Sequence, residues 1–364
     1  MTAAADTPAT TNTPNRIWDV IIVGQGLAGT TLAWQLLHAG ASVLVIDEEA
    51  PVTTSKIAAG LITPITGQRL ALSWRVDDML PAARAFYARV EATIGQKVFH
   101  DRTAVRLFKS DIERDLWMKR KELPAFQAHL TDPQPSNLLD PSIGDASGGG
   151  FHMQTAQLDV AGYLAASRAH FNYEAMVLDW HRDVQLSEAA SIAGGYRARH
   201  IISCEGFAAT RNPYFSWVPF KGAKGDILTV RFHRPVPPQC LHRGIWVVPT
   251  SEPGVFRVGA TYDWRTLDQV PSISGRAEIE DRLAAFFQVP YTVIDHKAAI
   301  RPIIRESKAL MGLHPLHNRL GFFNGLGSKG SLHAPWFAGC FAAHLVNGAP
   351  LPPAFDLRRR VDPL

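Results

Sequence analysis

Cysteine is scarce. Cys204, Cys240 and Cys340 are the only three in 364 residues. They lie far apart and form no Cys-x-x-Cys pair, which excludes a zinc ribbon, a cysteine-ligated iron–sulfur cluster and a dithiol redox motif, and fits a reducing compartment. No apolar run approaches the roughly 18 residues of a membrane span. The Thr/Ala/Pro-rich stretch Met1–Arg16 lacks the apolar core of a secretory signal. Residues 1–15 therefore read as a disordered tail on a cytoplasmic protein. A large charge imbalance is missing too: 37 basic residues face 33 acidic ones, a net +4 without any Lys/Arg block. The basic pI of about 9.0 is thus weak ground for a nucleic-acid partner, and small anions are the more natural ligands. Neither a Gly-x-Ser-x-Gly elbow nor a Gly-x4-Gly-Lys-Ser/Thr loop occurs, so serine-hydrolase and P-loop chemistry have no anchor. His314-Pro315-Leu316-His317 has a ligand-like spacing, but the proline denies it a regular helix and no acid or cysteine is close in sequence, so no metal site is expected.

What is present suits a soluble chain folded by ordinary burial, with 46% apolar and 19% charged residues. At about 150 residues per domain the length allows two domains. Trp18-Asp19-Val20-Ile21-Ile22-Val23 reads as a strand buried on both faces. It runs into Gly24-Gln25-Gly26-Leu27-Ala28-Gly29, and Leu32, Leu36 and Leu37 then recur at helical spacing until Gly40 closes the helix. A second strand, Val43–Ile46, ends at Asp47, completing a βαβ unit with an acid at the distance a dinucleotide fold requires. In that context Gly24 permits the tight turn, Gly26 lets backbone approach a pyrophosphate, and Gly29 allows close helix–strand packing. The helix N-terminus, entered through Leu27 and Ala28, offers N–H groups to phosphate, and Asp47 accepts from a ribose diol. Glu48 beside it repels a 2′-phosphate and disfavours NADP.

Further along, Leu80–Ile94 predicts an amphipathic helix. Leu123–Gly150, with Pro133, Pro135, Pro141 and Ser147-Gly148-Gly149-Gly150, reads as a boundary loop. Ile227–Arg231, Val247-Val248 and Phe256–Val258 predict antiparallel strands separated by Pro/Gly turns. The chain then returns to a strand at Leu320–Phe323, a glycine loop to Ser331, and a helix over Pro335–Leu345. No internal repeat is visible.

The fingerprint alone leaves FAD and NAD open, because both carry the same adenosine diphosphate. Three further segments supply small residues along which a long cofactor could lie. They are Thr53–Gly60 with Ser55, Lys56, Ala59 and Gly60; Cys204-Glu205-Gly206 after the strand His200–Ser203; and the loop holding Gly327, Lys329, Gly330 and Ser331. With Trp246-Val247-Val248-Pro249, Val258-Gly259-Ala260-Thr261, Ile300-Arg301-Pro302 and Gly330–Pro335 in this order, the pattern resembles the D-amino-acid oxidase family of flavoproteins, which includes glycine and sarcosine oxidases. The resemblance extends from Asp19 to Gly348 and implies an α/β fold, a Rossmann-like FAD-binding domain joined to an antiparallel-sheet-rich substrate domain. It places the FAD domain discontinuously at about 16–90, 148–215 and 296–352, with 91–147 and 216–295 building the substrate domain.

The resemblance further implies that Gly327, Lys329, Gly330 and Ser331 approach the flavin pyrimidine, with a plain turn and a solvent-facing lysine as the alternative. Arg301 matches the arginine that clamps a substrate carboxylate in amino-acid-oxidising relatives, the alternative being a structural salt bridge. Arg305 and Arg69 are lesser candidates for that pocket. Trp246 stands where relatives often have a tyrosine, and an indole donates one hydrogen bond but accepts none. Arg301-Pro302-Ile303-Ile304 lacks the flavin-tethering cysteine of sarcosine oxidases, so non-covalent FAD is expected. Glu205 replaces the first residue of a usual Ala-Gly pair and needs a partner, a ribityl hydroxyl or a backbone N–H. Arg257 is a candidate positive charge near the flavin.

The leading expectation is an FAD-dependent oxidoreductase that oxidises a C–N bond of a small amine or amino acid. The other readings are a flavoprotein acting on the carboxymethylaminomethyl group of tRNA uridine, a flavin-binding protein without turnover, and an NAD-linked dehydrogenase. No basic stretch with interleaved aromatics supports the first of these, and the late glycine loop has no purpose in the last. The sequence leaves the electron acceptor and the oligomeric state open.

Overall fold

The computed structural model describes residues 16–132, 142–144, 149–305 and 308–360. The expected tail and the boundary residues Pro133, Pro135, Pro141, Ser147 and Gly148 lie outside the described residues. The first strand, Ile17–Val23, pairs in parallel with Val43–Asp47 on one side and Tyr196–Ser203 on the other. Asn172–Ala175 and Leu320–Asn324 extend this row in parallel at its two ends, and Leu310–Leu313 closes one edge antiparallel. Val20 and Ile22 pack with Leu32, Trp34, Phe337 and Phe341, which belong to the helices Leu27–His38 and Gly330–Asn347. Ile21 and Val23 face the opposite cluster with Phe215 and Phe322. Burial on both faces is why this strand reads as an unbroken apolar run rather than an alternating one.

The second sheet runs Tyr291–Arg301, Ala223–Phe232, Val255–Gly259, Trp246–Pro249, Cys240–His242, Phe99–Leu107, Gly150–Leu158 and Leu61–Ile62. All its pairs are antiparallel except Cys240–His242 with Phe99–Leu107. Its core gathers Leu228, Val230, Phe256, Phe286 and Phe287 beneath the helix Ile273–Ala284. The α/β class with a sheet-rich second unit therefore holds. The chain ends fold together, because the strands at 17–23 and 320–324 both flank Tyr196–Ser203.

Sheet membership crosses the segments expected for the two domains. Gly150–Leu158, Leu61–Ile62 and the whole of Tyr291–Arg301 belong to the second sheet, although 148–215, 16–90 and 296–352 were expected to serve the first. Gly60, Gly149, Pro290 and Pro302 flank these strands, but such residues also bound strands that stay within one sheet, so composition does not mark the crossing. Two helices also begin earlier than apolar spacing suggests. One spans Val76–Ile94 with Pro81 inside, and the other starts at Gly330 with Pro335 in its second turn. Pro335 cannot donate to the Ser331 carbonyl four residues back. The buried hydroxyl of Tyr87 donates to that carbonyl instead, at 2.9 Å, and the helix continues through the proline.

Candidate active site

A cavity of about 1190 Å³ runs between the two sheets from Asp47 and Glu48 to Trp246 and Arg301. At its first end the glycine turn is pinned from several directions. Gly24 has φ +104°, a left-handed value that favours glycine, and a Cβ there would meet the Cys204 carbonyl oxygen at 2.7 Å. The Asp47 carboxylate accepts from the Gln25 N–H at 2.7 Å and from the Glu49 N–H at 2.9 Å, which locks the turn to the end of the second strand. Gly26 precedes the helix Leu27–His38 and carries no capping side chain, while the Leu27 N–H donates to the Ser55 hydroxyl at 3.0 Å. Gly26, Leu27 and Ala28 all line the cavity, so this uncapped N-terminus opens onto it with its partial positive charge.

A second uncapped helix N-terminus, that of Gly330–Asn347, opens onto the same cavity through Gly327, Lys329, Gly330 and Ser331. The Lys329 ammonium donates to the Thr66 hydroxyl at 2.9 Å and the Ser73 hydroxyl at 3.2 Å. Burial, and then the charge of Lys308, lowers its pKa from the ordinary lysine value. One turn on, His333 is held down to about 4 by burial and then by Lys329 and Lys308. Across the cavity the Arg257 guanidinium reaches the carbonyls of Ala58 and Lys56, tying the Thr53–Gly60 loop to the second sheet. It lines the cavity, and burial lowers its pKa.

Arg301 marks the substrate end. It is only 8% exposed, and no carboxylate among the described residues pairs with it. Its Nη1 donates to the Thr261 carbonyl at 3.1 Å and more weakly to the Lys224 carbonyl at 3.4 Å, and its guanidinium lies 4.0 Å from the Tyr262 ring centre. Gly225 makes the room, since a Cβ there would meet Arg301 Nη2 at 2.3 Å. The neighbouring cation is already neutralised, with Lys224 Nζ 2.6 Å from Asp268 Oδ1. The loop over this end is pinned by buried Asp226, which accepts from the Ser272 N–H at 2.8 Å and binds His296 Nε2 at 2.9 Å. Trp246 lies on the same wall, its ring centre 4.3 Å from that of His242.

The cavity thus brings together Gly24, Gly26, Leu27, Ala28, Asp47, Glu48, Ser55, Ala59, Gly60, Cys204, Gly206, Gly327, Lys329, Gly330, Ser331, Trp246 and Arg301. It leaves out four residues that sequence reasoning weighed for it. Gly29 is a packing residue, because a Cβ would fall 1.9 Å from the Gly24 carbonyl oxygen. The Lys56 ammonium turns away to the Ala50 carbonyl. Arg69 is exposed on the Gly67–Leu70 turn and, like exposed Arg305, does not line the cavity. Glu205 is held by side chains rather than by the backbone N–H that was one partner expected of it. Its carboxylate accepts from the Trp180 indole at 2.9 Å, the Ser203 hydroxyl at 2.6 Å and the Asn212 amide at 2.9 Å. Trp180, Asn212, Tyr262 and His242 also line the cavity; Tyr262 adjoins the Val258–Thr261 motif, whereas the other three come from segments without one. His314 Nδ1 accepts from the Leu316 and His317 N–H groups, so the His-Pro-Leu-His stretch is a self-capped turn.

A family profile described as FAD dependent oxidoreductase matches residues 19–344. Among solved structures the chain is similar to glycine oxidase from Geobacillus kaustophilus, with 20% identity, a TM-score of 0.80, and coverage of 96% of this chain and 100% of that one. It is also similar to iminodiacetate oxidase from Chelativorans sp. BNC1, with 18% identity, a TM-score of 0.69, and coverage of 91% and 96%. L-proline dehydrogenase from P. horikoshii matches with 14% identity, a TM-score of 0.74, and coverage of 94% and 98%. At these identities the likeness shows the shared fold. No helix among the described residues is long and apolar enough to cross a membrane.

Proposed function

The chain belongs to the FAD dependent oxidoreductases of the D-amino-acid oxidase family, and from that premise we propose that it oxidises the C–N bond of a small amino acid or related amine to an imine, which water then hydrolyses. The residues present fit the cofactor. Two uncapped helix N-termini and the glycine turn face one elongated cavity, and Gly26 leaves open the space that a side chain would fill. Gly24, Gly26, Leu27 and Ala28 would hold the pyrophosphate, Asp47 and Glu48 the ribose, and Gly327 to Ser331 the flavin ring. When bound, FAD supplies the two-electron acceptor for the oxidation.

The protein's own contribution is to position the substrate. The observation that carries this reading is a buried arginine facing the cavity that no carboxylate among the described residues neutralises. Such a cation calls for an anion from outside, and its planar fork matches a carboxylate. Trp246 adds an apolar wall and one N–H donor. The Tyr262 ring over the guanidinium limits the approach of water to it.

Anaerobic mixing of the yellow protein with a panel of amines and amino acids tests the reading. At least one carboxylate-bearing amine should bleach the flavin, and its counterpart lacking the carboxylate should not. Bleaching by dithionite but by no amine would contradict it. The flavin is expected to be non-covalent, so acid precipitation should release it into the supernatant, and colour retained in the pellet would contradict that.

A further inference from the structure

Beyond Arg301 the cavity continues along the second sheet. Strand register sets His242 opposite Trp246, Trp246 opposite Gly259, and Gly259 opposite Ile227. The four residues form one row on one face of the sheet, and all line the cavity. Three strand spacings, about 14 Å of sheet, separate His242 from Ile227, and the Arg301 guanidinium sits farther on, against Gly225. A glycine-sized substrate anchored at Arg301 spans only a fraction of that distance.

The far end has a distinct chemistry. The His242 ring has no hydrogen-bond partner among the described residues, and its Nδ1 is buried. Burial first, then the charges of Arg106 and Lys109, push its pKa well below the ordinary histidine value, so the ring is neutral at pH 7 and keeps one N–H to donate. Of the two cations, Arg106 is spent on Glu113 and the Gly67 carbonyl. No carboxylate among the described residues pairs with Lys109. Its Nζ packs over Gly244, 2.8 Å from where a Cβ would stand, and Gly244 lines the cavity. This end therefore has an imidazole on the cavity wall and, outside the wall over Gly244, the exposed ammonium of Lys109.

We propose that His242 and Lys109 form a second subsite that binds an acidic group at the end of the substrate remote from Arg301, so that the preferred substrate is an extended amine carrying two acidic groups. The inference rests on the reading of Arg301 as a carboxylate anchor. Arg301 and the His242–Lys109 pair then act as the two ends of a gauge, which rejects short monoacids by leaving the far end unfilled.

Calorimetric titration of the holoprotein at pH 7 with straight-chain dicarboxylates from succinate to suberate, and with monocarboxylates of the same lengths, tests this. One dicarboxylate should bind about tenfold or more tightly than the monocarboxylate of its length. His242→Ala and Lys109→Ala should each cut that advantage to about threefold or less, with the flavin spectrum and monocarboxylate affinity unchanged. The subsite is overturned if no dicarboxylate gains over its monocarboxylate, or if the gain survives in both variants. Indifference of all carboxylates to Arg301→Ala would overturn the Arg301 reading itself and the subsite with it.

Discussion

At the residue scale, the glycines of the first turn have separable duties. Gly24 is constrained by its backbone and Gly29 by packing against Gly24, whereas Gly26 has φ −77°, which any residue adopts. A Cβ at Gly26 meets only the Ser55 hydroxyl oxygen, at 3.3 Å. Gly26→Leu is therefore expected to fold with a Tm close to that of wild-type apoprotein yet to purify without flavin, as read by the ratio of absorbance at flavin and protein wavelengths. Full flavin occupancy would show that the space is not the cofactor's. These glycines were legible because a turn beside a strand needs them at fixed spacing. The donors that satisfy Glu205 were not, since Trp180 and Asn212 reach it from 25 and 7 positions away. Arg69 misled for the opposite reason: cation type alone says nothing about which way an exposed turn points.

At the element scale, the helix Gly330–Asn347 depends on a residue far away in sequence. The Ser331 carbonyl, orphaned by Pro335, is satisfied by Tyr87 from the helix Val76–Ile94. Tyr87→Phe keeps the ring in its aromatic cluster and removes only the donor, leaving a buried acceptor unpaired at a cost of about 1–3 kcal/mol. A Tm lowered by several degrees is expected, with weaker FAD retention because the first turn of that helix lines the cavity. An unchanged Tm in scanning calorimetry would mean that the bond contributes nothing. Ile17–Val23, Val43–Asp47 and Leu320–Asn324 of the first sheet and Ala223–Phe232, Trp246–Pro249 and Val255–Gly259 of the second were legible from apolar and β-branched runs, whereas Phe99–Leu107, Gly150–Leu158 and Tyr291–Arg301 were not. The early start of this helix was not, because glycine, serine and proline in the first two turns mask the apolar period, and the compensating hydroxyl is invisible in the local sequence.

At the scale of the whole molecule, burying histidines between packed layers makes stability depend on pH. His200 and His333 are each held at about 4, chiefly by burial, against an ordinary value of 6.5. As the pH falls below about 6.5 the unfolded chain takes up protons that the folded protein refuses until about 4. Their contribution is therefore complete above about pH 6.5 and lost progressively down to about 4. Tm should fall between pH 7 and pH 4.5, and His333→Asn should show a smaller fall. An equal fall in the variant would remove His333 from the account. The meeting of the two chain ends in one sheet was legible, because cofactor motifs stand at both ends and must converge. The allotment of 150–158 and 291–301 to the second sheet was not, since both strands lie in sequence beside segments of the first.

The central claim is that this flavoprotein selects its substrate through a carboxylate held by Arg301. The most direct measurement pairs an amino acid with the amine lacking its carboxylate and follows flavin reduction by stopped flow in wild type and Arg301→Ala. An arginine–carboxylate bond in a partly dry pocket is worth about 1.5–3 kcal/mol, so the wild type should prefer the acid by roughly ten- to hundredfold. The variant should lose that preference at unchanged flavin content, and Arg301→Lys should restore only part of it, lacking the planar fork. Equal discrimination by wild type and Arg301→Ala would contradict the account and make Arg301 a structural residue.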